Sequence, residues 1–390
     1  MQQITNPLVA PTRATSLSRL VRLAGLTILL AASLTSCSDD DDLFLSGDEL
    51  MLIEPMGPKP DYAPDMDDQM WAVIEQFVAF GDPALPELTA RQARMDHSVT
   101  DALNTLLAKN NRPAPVPAVT TDQRILPPSY TPQSAPDGIP VRVYTPTDTT
   151  SGNRPGIVYY HGGGWVIGSL EVYEPSAQLL AERTGAVVVS VDYRLASEDM
   201  NKFPAAHEDA FAAYKWVREN AATIGIDSSR IATAGESAGG NMAAAVCLMA
   251  RDRGVALPVH QLLVYPVANN DLMTESYEEY ANAVPLNRPN ILFFTEKYFN
   301  SPADGDNPLI SLVDEADLTG MPPATIIAAE IDPLQTEGML LAQALRDAGV
   351  TTTYQLYPGT THEFFGTYAV VPLANEAQDL AADQLNAAFR

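Results

Sequence analysis

Cysteine is nearly absent: the 390 residues hold two, Cys37 and Cys247. That excludes a disulfide-stapled scaffold, and with no C-x-x-C pair it offers no redox or zinc-ribbon pattern. Basic charge is also scarce, 23 Lys and Arg against 49 Asp and Glu, for a net charge of −26. A surface that acidic repels phosphate backbones and anionic lipid headgroups, so nucleic acid is excluded as a partner and a membrane is reachable only through a separate anchor. No P-loop, G-x-G-x-x-G, H-E-x-x-H or internal repeat occurs, so no organic cofactor and no metal is implied. The apolar run Leu23–Leu34 is too short for a comfortable bilayer span, which needs about 20 residues. What is present is ordinary globular composition, 46% hydrophobic and 18% charged, enough for one large core with a smaller appendage.

The N-terminus has its own pattern. Arg13, Arg19 and Arg22 precede the apolar run, which ends in Leu34-Thr35-Ser36-Cys37. A basic segment, a short apolar segment and small residues describe a signal peptide over residues 1–36. Leu-Thr-Ser-Cys resembles the lipobox of bacterial lipoproteins, which implies lipidation of Cys37 and an exported, membrane-anchored protein; a plain secreted protein is the alternative. Residues 37–62 read as an acidic tether, in which Asp39–Asp42 is a solvated charge run. Cys247 lies in the apolar run Met242–Met249, where a buried, inert thiol is expected.

Residues 63–120 read as a small helical unit. Met66, Met70, Val73, Ile74 and Phe77 recur at helical spacing, a second helix is expected over Thr89–Lys109, and Arg112–Pro117 marks a boundary. From 121 to 390, short β-branched or aromatic runs alternate with helical patterns. The runs are Val141–Tyr144, Ile157–Tyr160, Ala186–Val191, Ile231–Ala234, Gln261–Tyr265, Thr325–Ala329 and Thr353–Tyr357. Helices are expected at Pro175–Arg183, Ala205–Asn220, Ala238–Asp252, Thr336–Ala348 and Ala374–Phe389. This alternation predicts an α/β fold with a mainly parallel sheet covered on both faces.

Within that pattern, Gly235-Glu236-Ser237-Ala238-Gly239 follows a strand and opens a helix. There, G-x-S-x-G forms a turn too tight for side chains and raises the serine hydroxyl. His161-Gly162-Gly163-Gly164-Trp165 follows an earlier strand. The N–H groups of Gly163 and Gly164, with that of Ala238, can form an oxyanion hole. Of the five histidines, His97, His207 and His260 read as structural and His161 as a loop-fixing residue. His362 follows the strand Thr353–Tyr357 through Pro358–Thr361 and is the candidate base. The acid is expected in Glu330-Ile331-Asp332-Pro333-Leu334: Asp332 is preferred because Pro333 can start the next helix, with Glu330 second. The order Ser237, Asp332, His362 is that of a nucleophile-elbow hydrolase.

Over residues 65–390 the sequence resembles the hormone-sensitive-lipase-like family of α/β-hydrolases, the bacterial family IV esterases. The motifs carrying the resemblance are H-G-G-G-W at 161–165, D-Y-R-L-A at 192–196, F-P-A-A at 203–206 and G-E-S-A-G-G at 235–240. Further along are M-P-P-A at 321–324, D-P-L at 332–334 and Y-P-G at 357–359. The resemblance implies that Asp332 is the triad acid and that residues 65–120 with about 271–308 form a cap over the site. It implies a carboxylic-ester hydrolase (EC 3.1.1 type) acting on a small-molecule ester, with short acyl chains favoured. The same machinery can serve an amidase or a sugar or aryl deacetylase, and a ligand-binding relative without catalysis is the remaining alternative. Three departures stand out: D-Y-R-L-A-S-E at 192–198 in place of D-Y-R-L-A-P-E, Glu363 where glycine follows the histidine, and Glu236 where Asp or Thr is common.

Overall fold

Eight strands form one sheet in the computed structural model, which describes residues 52–132, 135–148 and 152–390. The signal peptide, Cys37 and most of the tether lie outside the described residues. Ahead of the sheet come α1 (Asp68–Val78), α2 (Ala90–Ala93) and α3 (Val99–Lys109). The sheet opens with β1 (Val119–Leu126), β2 (Ile139–Pro146) and β3 (Arg154–Tyr160), then α4 (Glu174–Thr184), β4 (Val187–Val191) and α5 (Ala205–Asn220). Next are β5 (Ile226–Glu236), α6 (Ala238–Asp252), β6 (Gln261–Val264), and two helices outside the sheet layers, α7 (Glu275–Glu279) and α8 (Arg288–Tyr298). The chain closes with β7 (Ala324–Ile331), α9 (Gln335–Asp347), β8 (Thr352–Thr361) and α10 (Pro372–Ala388).

The strand order is β1-β2-β4-β3-β5-β6-β7-β8, with β1/β2 and β2/β4 antiparallel and all later pairs parallel. Parallel strands are buried on both faces, so β4 reads Val-Val-Val-Ser-Val with every residue buried. Alternate side chains feed two cores: Val158, Tyr160, Val187 and Val189 pack with α5, α6 and α9, whereas Ile157, Tyr159 and Val188 pack with α4, α10 and α1.

Three expectations need correction. The helix expected over 89–109 is broken into α2 and α3, because Ser98 and Asp101 form a capping box that starts a new helix, as Thr89 and Gln92 do for α2. β1 carries no strand signal in the sequence: it is an exposed antiparallel edge strand, Thr-Thr-Asp-Gln-Arg in its middle, with no apolar alternation. Because it starts at Val119, the boundary at 120/121 falls inside it. Finally, residues 52–62 are not free tether. The Gln69 amide exchanges hydrogen bonds with the Ile53 backbone (2.8 and 2.9 Å), and Trp71 Nε1 donates to the Gly57 carbonyl at 3.0 Å.

Candidate active site

The four loops at issue all leave the carboxyl ends of parallel strands, the edge at which open α/β sheets gather ligands. After β5, Ser237 adopts φ 56°, ψ −119°, a conformation disfavoured for a side-chain-bearing residue. The neighbouring glycines explain how the turn survives: a Cβ on Gly239 would lie 2.0 Å from the Tyr160 carbonyl oxygen, and one on Gly235 would lie 2.2 Å from that of Gly239. Ser237 is pinned by its N–H to the Val264 carbonyl at 2.9 Å, while its carbonyl accepts Asn241 N–H at 3.0 Å. Ala238 is the first residue of α6, so its N–H has no acceptor within the helix.

Glu236 is fully buried beneath the elbow and accepts the Tyr159 and Tyr265 hydroxyls. Burial raises its pKa, and the hydroxyl donors oppose that. The tyrosines are far away in sequence, and nothing in the residue pattern marks them as its partners.

After β3, Gly163 (φ 101°) and Gly164 (φ 58°) turn the chain, and the Gly163 carbonyl accepts the N–H groups of Val166 and Ile167. Gly164 also permits close approach of α8, since a Cβ there would meet the Phe294 ring at 2.2 Å. His161 is buried, stacks on Tyr193 with ring centroids 4.2 Å apart and contacts the Gly162 carbonyl at 2.8 Å. Burial pulls its pKa down to about 4, which leaves the ring neutral and structural.

After β7 and β8, His362 Nδ1 lies 2.7 Å from Asp332 Oδ2, with both side chains buried. The other Asp332 oxygen accepts the Leu334 N–H at 2.9 Å and so fixes the carboxylate. Glu330, the second candidate, is turned elsewhere: its carboxylate accepts the Gly359 N–H at 2.7 Å and braces the approach to His362. β8 runs on to Thr361 past a register shift, so His362 follows the strand directly instead of a separate turn. Burial alone would lower the His362 pKa, but Asp332, and then Glu363 and Glu236, outweigh it and leave it raised.

The remaining histidines are occupied. His207 contacts the Tyr298 hydroxyl and the Asn241 amide oxygen at 2.7 and 2.9 Å, and His260 contacts Thr325 Oγ1 at 2.9 Å. Burial takes both to about 4. His97 stacks on Phe80 and its Nδ1 lies 2.9 Å from Asp82 Oδ2, and it also lines the cavity described next. Cys247 is buried, its thiol pushed up to about 12 by burial. Among the described residues no group of three or more His, Cys, Asp or Glu is placed to hold a metal ion, and no helix is long and apolar enough to cross a membrane.

Two cavities meet at Ser237. The larger, about 370 Å³, is lined by Gly163, Gly164, Ser237 and His362, and by residues outside the sheet such as Val99 of α3 and Leu286 ahead of α8. The smaller, about 30 Å³, also touches Gly164 and Ser237 but not His362; Trp165, Tyr277, Ile291 and Ile310 wall it. Phe294 and Leu286 line both. The sequence implies only a cap over about 271–308 and singles out none of Tyr277, Leu286, Ile291 and Phe294 as a wall.

An elbow serine under a glycine loop, at the carboxyl edge of an eight-stranded sheet in this order, defines an α/β hydrolase. A family model described as alpha/beta hydrolase fold matches residues 157–366. The carboxylesterase NlhH of Mycobacterium tuberculosis is 44% identical over 242 residues, 61% of this chain and 75% of that protein. An arylesterase of Saccharolobus solfataricus is 36% identical over 271 residues, 69% of this chain and 84% of the other. The solved structure of an esterase from Pyrobaculum calidifontis superposes with a TM-score of 0.70 at 37% identity, covering 80% of this chain and 98% of that one. This chain belongs to the α/β-hydrolase fold family, in its hormone-sensitive-lipase-like branch.

Proposed function

We propose that the chain is a serine carboxylesterase that cleaves short-acyl esters through an acyl-enzyme on Ser237. The observation that carries this reading is the buried His362–Asp332 contact of 2.7 Å on the wall of the cavity that also reaches the elbow serine. In this mechanism His362 Nε2 takes the Ser237 proton as Oγ attacks the ester carbonyl. The N–H groups of Gly163, Gly164 and Ala238 receive the oxyanion, and Asp332 holds the imidazole tautomer and stabilises the imidazolium. Collapse expels the alcohol, protonated by His362; water, deprotonated by the same ring, then releases the acid. The names of the relatives, carboxylesterase and arylesterase, support ester substrates.

The two cavities support a division of the substrate. The leaving alcohol has to depart toward the histidine that protonates it, and His362 lines only the larger cavity. The acyl group then falls to the smaller one, whose 30 Å³ is about the room of one or two water-sized groups. Acetyl or propionyl fits, and a long chain does not.

A p-nitrophenyl ester series from acetate to palmitate, with Ser237→Ala as control, tests this. Serine-dependent kcat/KM is expected to peak at two or three acyl carbons and to fall at least about tenfold by octanoate, since overfilling a packed pocket costs about 1–3 kcal/mol. A peak at octanoate or beyond would contradict the division. Serine-dependent activity on amides or acetylated sugars with none on these esters would move the reading to an amidase or deacetylase.

A further inference from the structure

The charge around the two cavities is one-sided. The small cavity has no charged side chain on its wall. The large one carries Asp82, Asp96 and Glu363 against one permanent cation, Arg94. Arg94 is committed, its guanidinium donating to the Val166 and Ala196 carbonyls, and the His97 ring is engaged by Asp82. Of the acids, Glu363 is nearest to the chemistry in sequence, one residue beyond His362 on the same wall.

Its backbone is unusual as well. Glu363 has φ 66°, a left-handed conformation that a glycine would hold without strain. Its carboxylate accepts the buried Tyr173 hydroxyl at 2.8 Å. That hydroxyl in turn lies over Gly162, where a Cβ would come within 2.4 Å of it. The carboxylate is thus fixed between the oxyanion loop and the histidine, half-buried, on the side from which an alcohol leaves. Strain held beside a reacting centre by such contacts points to function.

We propose that Glu363 makes the leaving-group side of this site selective for alcohols that carry a positive charge, and against those that carry a negative one. The inference rests on the ester-hydrolase reading above. A fixed carboxylate in a partly closed cavity attracts a cationic group, and the net charge of −26 enriches cations around the molecule in the same sense. The small cavity has no charged side chain to compensate a buried charge, so the acyl side disfavours charge of either sign.

The test uses the full chain and two acetates of matched shape, acetylcholine and its uncharged carbon isostere 3,3-dimethylbutyl acetate, followed by pH-stat titration. The readout is the ratio of their kcat/KM values, in which any common change in the triad cancels. The wild type is expected to favour the cation about tenfold, the effect of a unit charge about 6 Å away at an effective dielectric of about 40. Glu363→Gln, and Glu363→Gly as a variant free of backbone strain, should each bring the ratio below about three. A wild-type ratio near one, or a tenfold ratio surviving in both folded variants, overturns the proposal and leaves the ester reading standing. No turnover of either by a wild type that cleaves p-nitrophenyl acetate overturns the proposal alone. Turnover of both that persists in Ser237→Ala, or no turnover of either together with none of p-nitrophenyl acetate, overturns the ester reading and the proposal with it.

Discussion

Replacing Asp332 by asparagine is expected to lower kcat/KM for p-nitrophenyl acetate about 10⁴-fold while the protein stays folded, the scale expected when a triad loses the acid that fixes its tautomer. Asp332 is fully buried, and its two oxygens face His362 Nδ1 and the Leu334 N–H. Asparagine can keep the Leu334 contact through its carbonyl oxygen but turns an amide N–H₂ toward the ring. Nδ1 must then accept, which protonates Nε2 and removes the base. The pH profile carries a second signature. Activity requires the neutral ring, and His362 is raised above 6.5 mainly by Asp332 against the lowering effect of burial. The acid limb of the wild type therefore has its midpoint above 6.5, and the residual limb of Asp332→Asn moves to lower pH. Glu330→Gln provides the contrast, since the Glu330 carboxylate accepts the Gly359 N–H while the His362 Nδ1 is bonded to Asp332. A loss for Glu330→Gln as large as for Asp332→Asn would contradict the assignment.

Gly239→Ala is expected to cost more than about 3 kcal/mol of stability, more than ordinary overpacking, because the obstruction is backbone. The added methyl would sit 2.0 Å from the Tyr160 carbonyl oxygen and 2.5 Å from that of His161, at the end of β3 where the glycine loop begins. Neither atom can move without breaking the sheet edge on which the site is built. Gly338→Ala is the internal comparison. It also lies in a helix, but its new Cβ would have nothing closer than 3.8 Å, so it should be neutral or stabilising by up to about 1 kcal/mol through helix propensity. Thermal unfolding of the pair checks this: a Gly239→Ala midpoint within a degree of wild type would show that the elbow is looser than its geometry implies.

What could be read from sequence follows the physics of burial. β4 is buried on both faces and announces itself as a continuous β-branched run, and α5 and α6 are legible end to end because their apolar faces must meet the sheet. β1 is invisible because an exposed edge strand has no inner face to encode. The choice between Asp332 and Glu330 turns on which carboxylate the end of β7 aims at His362, a matter of strand geometry and not of residue type. The motifs single out Gly163, Gly164, Ser237 and His362, which line one cavity. The tyrosine pair on Glu236, the Tyr173–Glu363 bond and the two unequal cavities arise from contacts between distant segments, which no local pattern records.

The central claim is that Ser237 is the nucleophile, and its most direct test is intact-mass and peptide-mass analysis after treatment with a reactive alkyl phosphonate ester. The account predicts a single adduct on the peptide containing Ser237, loss of esterase activity in step with its formation, and neither adduct nor activity in Ser237→Ala. Full esterase activity in Ser237→Ala, or inactivation accompanied by an adduct on another residue, would contradict it.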